Sequence, residues 1–345
     1  MGVQISQLLP KQEIRVEDLA NKKIAIDAFN IIFQFLSIIR QKDTGEPLRD
    51  SKGRITSHLS GLFYRNLKFL EAGIKPIYVF DGEPPKMKKS IIKERETRRE
   101  EALKKWEEAL KEGRKEDIMV YAQASSKLTD EMIEESKKLL KALGIPIVQA
   151  PSEGEAQASH IVLKGDAYAT ASQDSDSLLF GCPKLIRNLS ITGRRKMPRQ
   201  EKWIDINPEL IDLNIVLKEL EITREQLIMI GMLVGTDYNP EGIVGFGPKK
   251  ALKIVQEKKT LEKLLESIDW QSENDPFEIY NFFLYPKVDD NYEIKFGEID
   301  KEMVKKIMVD EHDFSEERIE SNLAKLLDAR KKGTQYSLAG WFKKS

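Results

Sequence analysis

Short apolar runs alternate along the chain with longer segments whose apolar residues recur at helical spacing. KKIAIDAFN (22–30) predicts a short buried strand ending at Asp27, and the apolar stretch after it, to 39, predicts a helix. A polar loop rich in turn residues covers 42–56, and SHLSGLFYRNLKFLEAG (57–73) has helical spacing that stops at Gly73. IKPIYVFDGEPP (74–85) predicts a second strand, ending at Asp81 and closed by Gly82, Pro84 and Pro85. Residues 86 to about 142 form a long, highly charged helical region with a polar break near Gly113. GIPIVQA (144–150) predicts a third strand, and the helix starting in 150–165 carries Ser152 and Glu155 at capping-box spacing. A fourth strand in 166–181 leads into a turn around Asp174 and Asp176. The rest is mostly helical, at 223–235, 248–258, 260–267 and 301–332, with a polar, aromatic-containing loop around 270–298. No internal repeat or low-complexity linker interrupts this order.

Strands alternating with helices imply an α/β fold with a mainly parallel sheet covered on both faces. Ligands bind such sheets at the carboxyl ends of the strands. Those ends are acidic here. Asp27 and Asp81 follow their strands directly, Glu153 and Glu155 open the helix after the third, and Asp174 and Asp176 follow the fourth. Asp237 follows the helix TREQLIMIGMLVG. A lone Asp after a strand is usually a cap or turn former. Acids at every predicted strand end are a different matter, since so many anions sharing one edge need cations or protons between them. Oxygen ligands without His or Cys suit Mg²⁺ or Mn²⁺, and a pair of such ions can hydrolyse a phosphodiester.

Composition narrows the classes. At 345 residues, 40% hydrophobic and 33% charged, the chain can bury a sizeable core beneath an unusually charged surface. Cys182 is the only cysteine, which excludes intrachain disulfides and cysteine-rich zinc sites and fits a reducing compartment. The most apolar early stretch, 29–39, is about half the ~20 residues of a membrane helix, and no signal peptide is expected. MGVQIS matches a myristoylation pattern at Gly2 and Ser6, without a second anchor to support it. With 56 basic and 57 acidic residues the net charge is −1, which by itself argues mildly against a nucleic-acid binder. Yet from Lys86 to Lys115 twelve Lys or Arg stand against seven Glu, so charge is segregated: carboxylates at the strand ends, cations along one helical region.

These residues resemble the flap endonuclease family of archaea and eukaryotes, within the structure-specific 5′ nucleases. The matching stretches are IAIDAFN, SHLSGLFYR, GIKPIYVFDGEPP, APSEGEAQAS, ATASQDSDSLLFG, LVGTDYNPEGIVGFGPKKA and QYSLAGWF, in the family's order over nearly the whole chain. The resemblance implies a PIN-like mainly parallel sheet flanked by helices, with a helical arch and a helix–hairpin–helix. Two Mg²⁺ per active site are implied, with Mn²⁺ able to substitute. Asp27, Asp81 and Glu153 would hold the first, and Glu155, Asp174, Asp176 and Asp237 the second. The implied reaction is hydrolysis near the base of a 5′ flap, with 5′–3′ exonuclease activity, in Okazaki-fragment maturation and long-patch base excision repair. Another 5′ nuclease of the superfamily, or a non-catalytic DNA-binding partner of the sliding clamp, are the alternatives.

By family position, Lys88 and Arg95 would be catalytic cations entering the site from the arch. Phe33 would stack on a base, where comparable members usually carry Tyr, and Arg40 and Arg65 would clamp phosphates. IVGFGPKKALKIV (243–255) resembles a helix–hairpin–helix. Its Gly245 and Gly247, with Gly235, Lys249 and Lys250, would bind duplex DNA without reading sequence. Gln335, Leu338, Trp341 and Phe342 resemble a sliding-clamp binding box. The implied organisation is an N-terminal nuclease region (1–99), an arch (86–130), an internal nuclease region with the hairpin (117–261), a C-terminal helical region (262–334) and a clamp-binding tail (335–345). The implied partners are DNA, as 5′ flap and nicked duplex, and the clamp. No membrane association is expected, and the protein is otherwise monomeric. The chain's end three residues after Phe342 favours an archaeal, nucleoid-associated cytoplasmic protein.

Overall fold

The computed structural model describes residues 2–191, 193–196 and 203–328. Within them a seven-stranded sheet runs β1-β9-β6-β5-β2-β3-β4. Its strands are β1 (Gln12–Glu13), β2 (Lys23–Asp27), β3 (Lys75–Phe80), β4 (Ile147–Gln149), β5 (Ala169–Ala171), β6 (Lys184–Arg187) and β9 (Glu209–Asp212). A separate two-stranded ribbon pairs β7 (Gly193–Lys196) with β8 (Trp203–Ile206). β4, β3, β2, β5 and β6 are mutually parallel, as the alternation of strands and helices predicts, although the pattern marked only the first four of these as strands. β9 and β1 add an antiparallel edge that the hydrophobic pattern did not reveal.

Alternate residues of the central strands enter cores on opposite faces. Ile24 and Ile26 pack with α1 (Ala28–Ile38), α2 (Ser57–Glu71) and α5 (Asp130–Ala142), joined by Val304, Ile307, Ile319 and Leu323 from the C-terminal helices. Ala25, Ile77 and Val79 face Ala158, Ile161 and Val162 of α6 (Gly154–Leu163) on the other side. A third core joins α7 (Asp176–Leu179), α8 (Leu213–Glu219), α9 (Arg224–Val234), α10 (Pro248–Lys258), α11 (Leu261–Leu265) and α12 (Pro276–Leu284).

Three readings need correction. α12 lies inside the stretch 270–298 expected as loop; Pro276 at its first turn and Asp275 capping it are start signals that a polar flank obscured. The helix expected over 301–332 is interrupted: α13 (Lys301–Lys305) passes into a π-helical segment, Lys306–Glu311, and helix resumes at 316–328. Ser152 and Glu155 form no capping box, because Glu153 is the N-cap of α6 and Glu155 turns inward instead.

The charged region is helical as expected. α3 (Lys89–Glu112) is about 36 Å long at 1.5 Å per residue and ends at Gly113, where α4 (Lys115–Ala124) turns back along it. Among the described residues no helix is long and apolar enough to cross a membrane.

Candidate metal centre and its cationic arch

After β2 the chain builds β3 and β4 to one side and then β5 and β6 to the other, so the sheet's switch point lies between β2 and β5. Register brings the strand ends level: Asp27 pairs with Val79, Phe80 with Gln149, and Ile26 with Ala171. The residues just past those positions are Asp81, Glu153 and Asp174, so the crevice inherits its acids from strand length.

Each carboxylate is held by a neighbour. Asp27 is buried and caps α1, accepting from Asn30 N at 3.1 Å. Asn30 Nδ2 also donates to Asp174 Oδ2 at 3.0 Å, and Gly2 N to Asp174 Oδ1 at 3.1 Å. Val3 N donates to Asp176 at 2.7 Å, so the N-terminal segment closes one wall. Asp81 accepts from Gly154 N at 2.7 Å, and Glu155 accepts from Ser172 Oγ at 2.6 Å.

Electrostatically these side chains are one group. Burial raises Asp27 well above the usual carboxylate range, and Asp81, Asp174 and Glu153 add to the rise. Burial, then Glu153, pushes Asp81 up to about 6. Burial, then Asp237 and Asp174, pushes Asp176 up to about 7. Glu155 is raised by burial and then by Asp176, Asp27 and Asp174. These couplings run through all seven predicted acids across the crevice. Among the described residues no three of them already form a closed ligand set. Hydrogen bonds and two cations space them instead.

Those cations are Lys88 and Arg95. Lys88 Nζ lies 2.7 and 2.9 Å from the two oxygens of Glu153 and 3.7 Å from Asp237. Burial would lower its pKa, but Glu153 and Asp237 outweigh burial and raise it. Arg95 Nη2 meets Asp237 at 2.5 Å. Burial would likewise raise Asp237, but the surrounding cations, Arg95 and Lys88 among them, hold it below its ordinary value. An oxygen-only set in which burial disfavours the charged forms is chemically matched to hard divalent cations.

The remaining predicted residues scatter around this centre. Phe33 is 39% exposed on α1, away from the core. Arg40 donates from Nε to Leu36 O, from Nη1 to Gly45 O and from Nη2 to Ser126 Oγ, leaving about two of its five N–H groups for an outside acceptor. Arg65 is half-buried in α2, and burial lowers its pKa. Gly235 ends α9 at φ 110°, where a Cβ would stand 2.6 Å from Pro240 O; its requirement is backbone closure beside Asp237. Gly245, Gly247, Lys249 and Lys250 are exposed around the start of α10, beside Val244 at 81% exposure. Gln335, Leu338, Trp341 and Phe342 lie outside the described residues.

Sequence reasoning missed Asn30, Ser172, and the backbone N–H groups of Gly2, Val3 and Gly154. Only Asn30 left a signal, three residues after a strand-end Asp, where a cap is accepted.

Residues 1–102 match the XPG N-terminal domain and 144–237 the XPG I-region. Flap endonuclease 1 of Pyrococcus furiosus is 56% identical over 344 residues, covering 100% of both chains. Flap endonuclease 1 of Thermococcus onnurineus is 54% identical over 342 residues, covering 99% of both. Among solved structures, flap endonuclease-1 from Methanococcus jannaschii superposes with a TM-score of 0.75 at 43% identity, covering 96% of this chain and 100% of that one. The catalytic core of Rad2 in complex with DNA substrate gives 0.69 at 25% identity, covering 93% and 97%. Identity of this level from end to end, with the acids and arch cations in matching stretches, makes this chain a member of the flap endonuclease family.

Proposed function

We propose that this chain is a divalent-metal-dependent, structure-specific nuclease that hydrolyses a phosphodiester near the base of 5′ DNA flaps, with 5′–3′ exonuclease activity. The observation that carries this reading is the single electrostatic cluster of seven carboxylates at the sheet's switch point, with Lys88 and Arg95 of the arch root inserted into it. Asp27, Asp81 and Glu153 would hold one Mg²⁺, and Glu155, Asp174, Asp176 and Asp237 a second. Held by these carboxylates, such a metal pair would supply a nucleophile at neutral pH and offset charge on the phosphodiester.

The protein's own groups do the rest. Lys88 and Arg95 exchange their carboxylate partners for the scissile phosphate and offset charge in the transition state. Phe33, exposed on α1, offers a face on which a base could stack. Gly245 and Gly247, with Lys249 and Lys250, grip duplex phosphates without reading sequence, and spare N–H groups of Arg40, together with Arg65, contact the backbone nearer the cut. An arch that passes only a single strand with a free 5′ end rejects continuous duplex by size. The tail 335–345 would place Leu338, Trp341 and Phe342 in a sliding-clamp pocket, in an archaeal, nucleoid-associated cytoplasmic setting of replication and repair.

The test is cleavage of labelled 5′-flap, nicked and single-stranded DNA with Mg²⁺, with and without a sliding clamp. The parent is expected to cut the flap near its base. Asp174→Ala is expected to lose at least about a hundredfold in rate while DNA affinity changes little. Deleting 335–345 is expected to spare the basal cut and abolish stimulation by the clamp. An uncut flap would sink the catalytic reading, and unchanged stimulation would sink the role of the tail.

A further inference from the structure

Lys88 and Asp237 come from segments far apart in the chain, and a cleft lined by Ile91, Glu94, Pro240 and Glu241 lies between the arch root and the 236–241 loop. Besides the ion pairs of Lys88 and Arg95 with Asp237, a third segment bridges the two through a neutral side chain. Asn274 Nδ2 donates to the carbonyl of Tyr238 at 2.6 Å and to the carbonyl of Met87 at 3.2 Å. Tyr238 follows Asp237 and Met87 precedes Lys88, so one side-chain amide spends both its hydrogens fixing the backbone on either side of the Lys88–Asp237 contact.

The amide is itself held. Trp270 Nε1 donates to Asn274 O at 3.0 Å, and Asn274 N donates to Ser272 Oγ at 3.3 Å. The next residue, Asp275, caps α12 by accepting from Phe277 N and Glu278 N. α12 in turn packs Phe282 and Phe283 against the buried Tyr238 ring, with centroids 4.7 and 5.6 Å away. Asn274 is therefore a rigid point on the C-terminal helical region that reaches into the reaction centre without touching its charged atoms.

We infer that Asn274 is a positioning residue for the cleavage reaction, setting where Lys88 meets Asp237 and Glu153. The inference rests on the reading of Lys88 given above. Small displacements of a catalytic cation carry large kinetic penalties, so loss of the bridge is expected to act on the chemical step rather than on DNA binding. Aspartate has the same shape as asparagine but turns both donors into acceptors facing two carbonyls, so it pushes the segments apart where alanine only releases them.

Single-turnover flap cleavage and equilibrium flap binding of the full chain test this. Asn274→Ala is expected to slow cleavage about tenfold and Asn274→Asp about a hundredfold, with DNA affinity within about twofold of the parent. Asn274→Ala added to Lys88→Ala is expected to slow cleavage no further, because the bridge acts through Lys88. If the two losses multiply, or Asn274→Asp cuts at the parental rate, the inference is overturned while Lys88 keeps its role. If Lys88→Ala itself cuts at the parental rate, the reading of Lys88 fails and the inference falls with it.

Discussion

Asp81 and Asp176 sit where a carboxylate prefers to keep its proton. Burial first, and neighbouring acids second, lift them to about 6 and about 7. A folded-state value above the unfolded one means the folded protein binds more protons, so this contribution is favourable at acid pH and is lost as pH rises through about 6 and then about 7. Cations that replace those protons should stabilise most above pH 7. Mg²⁺ is therefore expected to raise the melting temperature more at about pH 8 than at about pH 5, read by calorimetry. Asp176→Asn is expected to abolish cleavage yet raise the metal-free melting temperature at about pH 8 by about 2 °C or more. A lower metal-free melting temperature would show that the acid's hydrogen bond from Val3 outweighs its electrostatic strain. The acids were legible in the sequence because strand ends are predictable and charge there is conspicuous. Ser172 and Asn274 were not, because a hydroxyl or amide acquires its role only from the partners that folding supplies.

At the scale of elements, the arch is seated as well as attached. Trp106 of α3 donates from Nε1 to Thr44 O at 3.0 Å, and Arg40 joins the end of α1 to Gly45 O and Ser126 Oγ. Gly45 lies against α4 at φ 68°, where a Cβ would come 2.9 Å from Ala122 Cβ and 3.3 Å from Ile118 Cγ2. Gly45→Ala is expected to cost about 1–2 kcal/mol from the left-handed backbone alone, with further strain against Ala122. Amide exchange across 115–124 should then quicken ahead of the sheet, and equal protection in variant and parent would refute this seat. The pattern predicted α3, α4 and the break at Gly113, because length and charge at helical spacing are local properties. It did not reveal the 41–47 turn as their dock, since the Trp106–Thr44 contact joins residues 62 positions apart. β9 and β1 escaped for the same reason: a short antiparallel edge is defined by its partner.

Across the whole molecule, the C-terminal helices return to the nuclease core at a buried polar junction. Glu135 of α5 accepts from His58 Nε2 of α2 at 3.1 Å and lies 3.3 Å from His312 Nε2, while His312 Nδ1 lies 3.3 Å from Asp50, which Arg54 also grips. Burial would raise the pKa of Glu135, but its contacts with His312 and His58 outweigh burial and hold it at about 2. Burial lowers His58, against a smaller opposing pull from Glu135. The signs agree. A depressed carboxylate stabilises above its unfolded value of 4.5 and loses that contribution as pH falls towards about 2. A histidine depressed below 6.5 stays neutral in the fold and is protonated more readily once unfolded, so stability also falls as pH drops beneath that value. The junction therefore makes the protein acid-labile from about pH 6.5 downward, opposite in sign to the strand-end acids Asp81 and Asp176. Glu135→Gln keeps the shape and removes the charge, and is expected to cost about 2 kcal/mol at pH 7. In urea unfolding it should flatten the stability profile between about pH 5 and pH 2. A variant that retained the parental slope there would move the acid lability to other carboxylates and leave this junction a matter of packing alone.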